Sequence, residues 1–233
     1  MKNKTLFALA SVLVLLAAAG CRKVETGLIG VTYYPVLTLE GDATIVLDKG
    51  SSFAEPGYTA TLNGEDVTGQ VAVSSNVNMN QSGVYTVSYA IENEDGFSST
   101  ASRTVIVLDR NDPVEGLYLT DPQKSYRDYN GVTPYGRSFQ ILVVNRGDYY
   151  EVDDLLGGWY AQRAGYGSSY AMQGFIAIGE SGDIELLDSY VPGWGDSAEG
   201  LTDGYFDAAT GTMTWSVEYT DYPFYFIVTM TKI

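Results

Sequence analysis

The fold is decided by the stretch Gly83-Val84-Tyr85-Thr86-Val87-Ser88-Tyr89-Ala90-Ile91, in which bulky apolar residues alternate with smaller ones. Successive side chains of a β-strand point to opposite faces, so the odd-numbered residues from Tyr85 to Ile91 share one face. The run Glu94-Asp95-Gly96 supplies a turn, and residues 98–108 have the composition of a returning strand. The stretch therefore predicts a β-hairpin with one buried face.

The residues on either side of this hairpin also alternate between apolar and polar side chains. From Pro35 to Asp109, short alternating runs are separated by turn residues, with almost no helical period. Several short strands at this spacing are typical of an antiparallel sandwich. At Arg110-Asn111-Asp112-Pro113 the pattern breaks, because proline cannot continue a strand. We predict a sandwich domain over residues 36–109 and a linker over residues 110–113.

The remaining residues, 114–233, predict a second all-β domain. Along residues 212–219, Met213, Trp215, Val217 and Tyr219 share one face, so we expect Trp215 in the core. An up-and-down antiparallel sheet curled towards a small β-barrel buries such faces and leaves few open edges. The predicted strands are residues 138–145, 170–178, 183–187, 212–219 and 224–231.

Composition excludes several classes of function. The chain has 13 Lys and Arg against 29 Asp and Glu, a net charge of −16, so its surface repels nucleic acid. It has no histidine, which removes the commonest general base and the commonest zinc ligand. Catalysis of the Ser-His-Asp or Cys-His type is therefore excluded. We expect no nucleic-acid partner, no metal and no cofactor.

The N-terminus carries an export signal. Lys2 and Lys4 precede an apolar segment over residues 6–20, and Cys21, the only cysteine, follows directly. The run Leu16-Ala17-Ala18-Ala19-Gly20-Cys21 resembles the lipobox of bacterial lipoproteins. The resemblance implies a signal peptide over residues 1–20 and a lipid on Cys21, followed by a tether over residues 21–35. The alternative is a secreted protein with an unpaired cysteine.

Three segments of the first domain resemble a known family. These segments are Leu37-Thr38-Leu39-Glu40-Gly41, Gly50-Ser51-Ser52-Phe53-Ala54-Glu55-Pro56-Gly57-Tyr58 and Ser82-Gly83-Val84-Tyr85-Thr86-Val87-Ser88-Tyr89. They are similar to the bacterial immunoglobulin-like domain shared with pesticidal-crystal-protein and hyalin-type repeats. The resemblance implies an immunoglobulin-like β-sandwich that acts as a spacer or adhesive module and has no catalytic residues.

Both domains together resemble two-domain lipoproteins of Bacteroides-like bacteria. In the second domain the resemblance is carried by Tyr149-Tyr150-Glu151-Val152-Asp153-Asp154-Leu155-Leu156-Gly157-Gly158-Trp159-Tyr160, Gly165-Tyr166-Gly167 and Val191-Pro192-Gly193-Trp194-Gly195-Asp196. The resemblance identifies no binding residues. It implies a lipid-anchored protein of the outer membrane, with the cell surface favoured over the periplasmic face, in the company of glycan-uptake systems.

Aromatic residues are the functional candidates. All three tryptophans and 14 of the 19 tyrosines follow Pro113. Trp194 lies in the turn sequence Pro192-Gly193-Trp194-Gly195, which places it at the surface. A second group of aromatic residues consists of Trp159, Tyr160, Tyr166 and Tyr170. Glycines lie between them in the sequence and could let a ligand approach the backbone closely. These four residues either bind a ligand or pack the barrel.

Three hypotheses of function follow from these residues. Sugars stack their apolar C–H faces on aromatic rings, so carbohydrate binding is the first. Tyrosine and tryptophan also dominate protein interfaces, so the second is a structural spacer that docks against an outer-membrane transporter or another envelope protein. The third hypothesis, an enzymatic role, is the least supported. The acid pairs Asp153-Asp154, Asp183 with Glu185, and Asp203 with Asp207 offer carboxylates, but nothing marks them as catalytic.

Overall fold

The computed structural model describes residues 31–219 and 224–233. The predicted signal peptide, the predicted lipidation site Cys21 and the first part of the tether lie outside the described residues. Within the described ranges, no helix has the length and apolar character needed to cross a membrane. The chain is nearly all β, with an immunoglobulin-like sandwich followed by a curled antiparallel half-barrel, as predicted.

The first unit consists of two small sheets. One has the order β1-β3-β4 and the other β2-β7-β6-β5. The predicted hairpin is β6 and β7, and Val87, Tyr89 and Ile91 on its apolar face are buried, as the alternation predicted. The strands are β1 (Val36–Leu39), β2 (Thr44–Asp48), β3 (Tyr58–Leu62), β4 (Glu65–Asp66), β5 (Ala72–Ser75), β6 (Gly83–Glu92) and β7 (Ser98–Leu108), with a 3₁₀ turn at Thr68–Gln70.

One pairing differs from the predicted antiparallel arrangement. β2 runs parallel to β7, with Thr44 opposite Thr104. The chain crosses from the first sheet to the second between β1 and β2, and β2 then pairs with the second half of β7, residues 104–108. The backbone N–H of Thr104 donates to the carbonyl of Ala43 at 2.8 Å, which fixes the start of β2 against β7.

Arg103 on β7 holds this crossover in place. Its side chain is fully buried. The guanidinium donates to the carbonyl oxygens of Glu40 (2.7 Å), Asp42 and Gly57 (3.2 Å) and forms an ion pair with Glu55 at 3.1 Å. A buried charge is tolerated only when its donors are satisfied, and here the partners lie in the segments that follow β1 and precede β3.

The second unit is one ten-stranded antiparallel sheet. Its main path is β15-β16-β17-β8-β11-β12-β13-β14, and the hairpin β9-β10 pairs with β17. The strands are β8 (Gly116–Thr120), β9 (Tyr126–Asp128), β10 (Val132–Pro134), β11 (Gln140–Asn145), β12 (Tyr150–Val152), β13 (Gln173–Ile178), β14 (Ile184–Tyr190), β15 (Ala198–Asp207), β16 (Thr212–Tyr219) and β17 (Phe224–Lys232).

The sheet curls so that its two ends, β14 and β15, approach each other. A single bridge between Asp183 and Tyr205 joins them at one end. The concave side encloses the core, in which Trp215 is 1% exposed and Met213 and Val217 are fully buried. The predicted core role of Trp215 is confirmed, and its indole N–H donates to the carbonyl of Leu155 at 2.8 Å.

The two units share an apolar contact. Ile106 and Leu108 from β7 pack with Leu142 and Val144 from β11. Next to it, Arg146 donates to the carbonyl of Ser82 at 3.0 Å. The predicted linker, residues 110–113, is an ordered turn in which the Asp112 carboxylate accepts the backbone N–H groups of Val114 and Glu115.

We predict that replacing Arg103 with Met lowers the free energy of unfolding of the first unit by about 3–5 kcal/mol, because three carbonyl groups and Glu55 lose their partner. Urea denaturation followed by circular dichroism measures the change. Arg110→Met is the matched control: Arg110 is exposed and pairs with Asp48, so its loss costs less than about 1 kcal/mol. Equal effects of the two substitutions would contradict the role of Arg103.

Candidate functional site

The candidate site lies where the loop between β12 and β13 meets the turn between β14 and β15. The loop is organised by Asp154, which is 2% exposed. One carboxylate oxygen accepts the backbone N–H groups of Leu156 (2.9 Å) and Met172 (3.2 Å), and the other accepts that of Gly158 (3.1 Å). One side chain therefore ties the beginning of the loop to its end. This is a structural role for a residue that the sequence offered only as one of several acids.

The environment of Asp154 favours its neutral form. Burial, and to a smaller extent the negative charge of Asp153, raise the pKa of the Asp154 carboxyl to about 7, although the three N–H groups act in the opposite direction.

Two glycines and a short helical turn follow Asp154. Gly157 and Gly158 have φ of 58° and 85°, in the left-handed region that favours glycine. A Cβ on Gly158 would lie 2.7 Å from the Cβ of Phe139, so only glycine fits there. The chain then makes one π-helical turn over Trp159–Arg163. This turn directs Trp159 inward and leaves Tyr160 half-buried at the surface.

Trp159 is a core residue. It is 4% exposed and packs against Tyr135 and Phe226, with ring centroids 5.1 Å and 5.9 Å away. The guanidinium of Arg163 lies over the ring at 4.1 Å, a cation–π contact. Of the two roles left open for this residue, packing is the one that the structure supports. Trp159 is therefore removed from the candidate ligand contacts.

The other four aromatic candidates converge in space. Trp194 contacts Tyr160 at 4.8 Å, Tyr170 at 4.9 Å and Tyr166 at 6.2 Å between ring centroids. Tyr166 and Trp194 are 55% and 42% exposed, and the other two are half-buried. We call Tyr160, Tyr166, Tyr170 and Trp194 the aromatic patch.

The shape of the patch is stepped rather than flat. The ring planes of Tyr166 and Trp194, its two most exposed members, are inclined at 87°. Tyr160 stands at 88° to Trp194. Edge-to-face contacts of this kind hold the rings in fixed orientations, so the patch presents two exposed aromatic surfaces at a right angle.

The turn that carries Trp194 is fixed by backbone contacts. Val191 and Asp196 form a bridge across it, and the N–H of Gly193 donates to the carbonyl of Ser169 at 2.6 Å. A Cβ on Gly193 would lie 2.6 Å from the ring of Tyr170. The absence of a side chain at Gly193 is therefore what allows Trp194 to approach the tyrosines.

A carboxylate lies next to the patch. The hydroxyl of Tyr219 donates to both oxygens of Asp196, at 2.8 Å and 2.9 Å, and the Tyr219 ring lies 6.3 Å from Trp194. Burial and this hydrogen bond raise the pKa of Tyr219, so the phenol remains a donor at neutral pH. Sequence reasoning missed Asp196 as a site residue, although it directly follows the Trp194 turn.

Asp183 and Glu185, one of the acid pairs considered for catalysis, lie away from the Trp194 turn. Asp183 and Glu185 are exposed at the start of β14, whereas Trp194 follows its end. Among the described residues, no group of three or more His, Cys, Asp and Glu side chains is placed to hold a metal ion.

Comparison with known proteins identifies the family. Residues 37–107 match the Ig-like domain of bacterial surface proteins, and residues 107–232 match a family of C-terminal domains. The crystal structure of the lipoprotein BT2262 from Bacteroides thetaiotaomicron is 40% identical in sequence and superposes with a TM-score of 0.75. The alignment covers 85% of this chain and 100% of that one. The chain belongs to the same family of two-domain lipoproteins.

Two further structures align with low scores. Both are from Clostridium perfringens ZmpB and align with TM-scores of 0.27 and 0.28 at 19% and 16% identity. One contains CBM51-2 with GlcNAc and INT domains, and the other the M60 catalytic domain with CBM51-1 and CBM51-2. The alignments cover 51% and 85% of this chain and 28% and 21% of those chains, respectively. No curated protein matches the sequence.

We predict that stability falls as the pH rises from about 4 to about 7. The pKa of Asp154 is about 7 in the folded chain and about 3.9 when unfolded, so the contribution of its neutral form is complete below about pH 4, falls between these two pKa values and is gone above about pH 7. Asp153, whose pKa is raised by burial to about 6, acts in the same direction. Urea denaturation at pH 5 and pH 8 should show a decrease of about 1 kcal/mol or more.

Asp154→Asn is the control for this pH dependence. Asparagine keeps one acceptor oxygen but has no proton to lose, so the variant should be less stable and show a smaller decrease between the two pH values. An unchanged decrease in the variant would assign the dependence to other groups.

Proposed function

We propose that this member of the lipoprotein family is a non-catalytic, cell-envelope glycan-binding protein, anchored in the outer membrane through a lipid on Cys21. The observation that carries the proposal is the convergence of Tyr160, Tyr166, Tyr170 and Trp194 from two separate segments into one partly exposed patch. In this role the protein would retain carbohydrate for a glycan-acquisition system of the envelope.

The patch has the chemistry that a sugar requires. A pyranose ring presents an apolar C–H face, which stacks on an aromatic ring, while its hydroxyls need hydrogen-bond partners. Trp194 and Tyr166 supply exposed rings, and Asp196 supplies a half-buried carboxylate beside them. Because Trp194 is held by its ring contacts, little side-chain freedom is lost when a ligand binds.

The first unit supports a spacer role. Thr32 donates to the Asp95 carboxylate at 3.1 Å, and the Asn93 side chain donates to the carbonyl of Tyr33 at 2.7 Å. These contacts fix the incoming chain at the β6–β7 turn, whereas the second unit packs at the opposite end of the same strands. β6 has 10 residues, and at 3.4 Å per residue it spans about 34 Å. The domain thus separates the tether from the half-barrel, as a cell-surface location requires.

The same patch has the composition of a protein interface, so docking against an outer-membrane transporter is the competing proposal. Both proposals need Trp194 at the surface. They differ in whether the isolated protein retains glycans.

We predict that Trp194→Ala abolishes glycan retention and lowers the free energy of unfolding by about 1–3 kcal/mol without unfolding the protein, because the ring is 42% exposed but loses its contacts with Tyr160 and Tyr170. The measurement is a glycan array probed with residues 22–233, together with urea denaturation of the same proteins. Tyr225→Ala is the matched control, since Tyr225 is 43% exposed and lies on β17 outside the patch.

Retention by the wild type and the control but not by Trp194→Ala supports the proposal. Retention that survives Trp194→Ala contradicts it. No retention by the wild type across plant, host and microbial glycans favours docking instead.

A further inference from the structure

A cleft of about 500 Å³ lies between β14 and β15, the two ends of the curled sheet. It is lined by residues 184–189 and 197–201. Within the described sheet, β14 pairs along its length only with β13, and β15 only with β16. The cleft is therefore the open seam of the half-barrel.

The seam is closed at both of its ends. On one side, the N–H of Ala198 donates to the hydroxyl of Ser189 at 2.9 Å, next to the Val191–Asp196 bridge. On the other side, the N–H of Phe206 donates to the carbonyl of Gly182 at 2.8 Å. These hydrogen bonds fix the two ends of the cleft, so the gap between β14 and β15 is a permanent feature of the fold.

Bulges in both strands account for the opening between these ends. The register of β14 shifts at Leu187, and that of β15 shifts at Glu199 and again at Asp203 and Gly204. Asp203 has φ of 53°, in the left-handed region. A bulge bends a strand and increases its twist, so the two edges turn apart, and bulges are over-represented beside functional sites.

The chemistry of the cleft suits a hydroxyl-rich ligand. Unpaired strand edges present backbone N–H and C=O groups, which act as donors and acceptors for hydroxyls. Glu185, Asp188 and Glu199 line the cleft and are exposed, and its lining includes no Lys or Arg. Three carboxylates without a cation repel anionic groups, so the cleft disfavours uronate or sulfate substituents.

The cleft is continuous with the aromatic patch along the chain. Its lining residues Ser189 and Ser197 flank the turn that carries Trp194. Trp194 therefore lies just beyond the end of the seam that the Ala198–Ser189 hydrogen bond closes.

We propose that the seam between β14 and β15 is a second subsite for an uncharged oligosaccharide and selects against carboxylated and sulfated glycans. This inference rests on the proposed function, because it extends the ligand held by Trp194.

The test compares a neutral oligosaccharide retained on the array with its carboxylated counterpart by titration calorimetry. The variant Glu185→Gln, Asp188→Asn, Glu199→Gln removes three charges and keeps hydrogen-bonding atoms. We expect the wild type to prefer the neutral ligand by roughly tenfold or more, and the variant to lose most of this preference.

The matched control is Glu65→Gln, Glu92→Gln, Glu94→Gln, which removes the same charge from exposed positions of the first unit. It should keep the wild-type preference, because those residues lie on the other domain. Equal loss in both variants would make the preference an effect of net charge and overturn the subsite.

Two negative results are distinguishable. If the wild type binds glycan through Trp194 and the seam variant keeps its preference, only the second subsite is wrong. If the wild type retains no glycan, the proposed function fails and the subsite fails with it.

Discussion

The candidate site depends on the three backbone N–H groups that converge on the buried carboxylate of Asp154. They fix the loop that begins with Gly157 and Gly158, and this loop sends Trp159 into the core and Tyr160 to the surface. Without that division, the core would lose a large side chain and the patch would lose the ring against which Trp194 stands. Packing of the barrel and exposure of the patch are therefore consequences of the same local structure.

The first unit depends in the same way on one buried group. Arg103 joins the two sheets where the chain crosses between them, and the apolar contact around Leu108 and Leu142 joins this unit to the half-barrel. Thr32 and Tyr33 contact one end of β6 and β7 and the half-barrel contacts the other, so the sandwich separates the start of the described chain from the second unit by about the length of these strands.

The sequence predicted what periodicity and turn residues encode locally. Regular strands such as β6, β7 and β16 were predicted within a residue of their ends, and Trp215 was placed correctly in the core. β15 was missed because its bulges interrupt the alternation. The parallel pairing of β2, the burial of Arg103 and the meeting of Tyr160 with Trp194 join residues far apart in the chain. No local pattern specifies such contacts.

If a glycan contacts Trp194 and leaves the other two indoles undisturbed, nuclear magnetic resonance will detect the contact. The protein has three indole N–H signals: Trp194 is 42% exposed, whereas Trp159 and Trp215 are 4% and 1% exposed. On titration with an oligosaccharide, we expect a saturable shift of the Trp194 signal alone. A bound oligosaccharide that leaves the Trp194 signal unmoved would overturn the proposed role of Trp194.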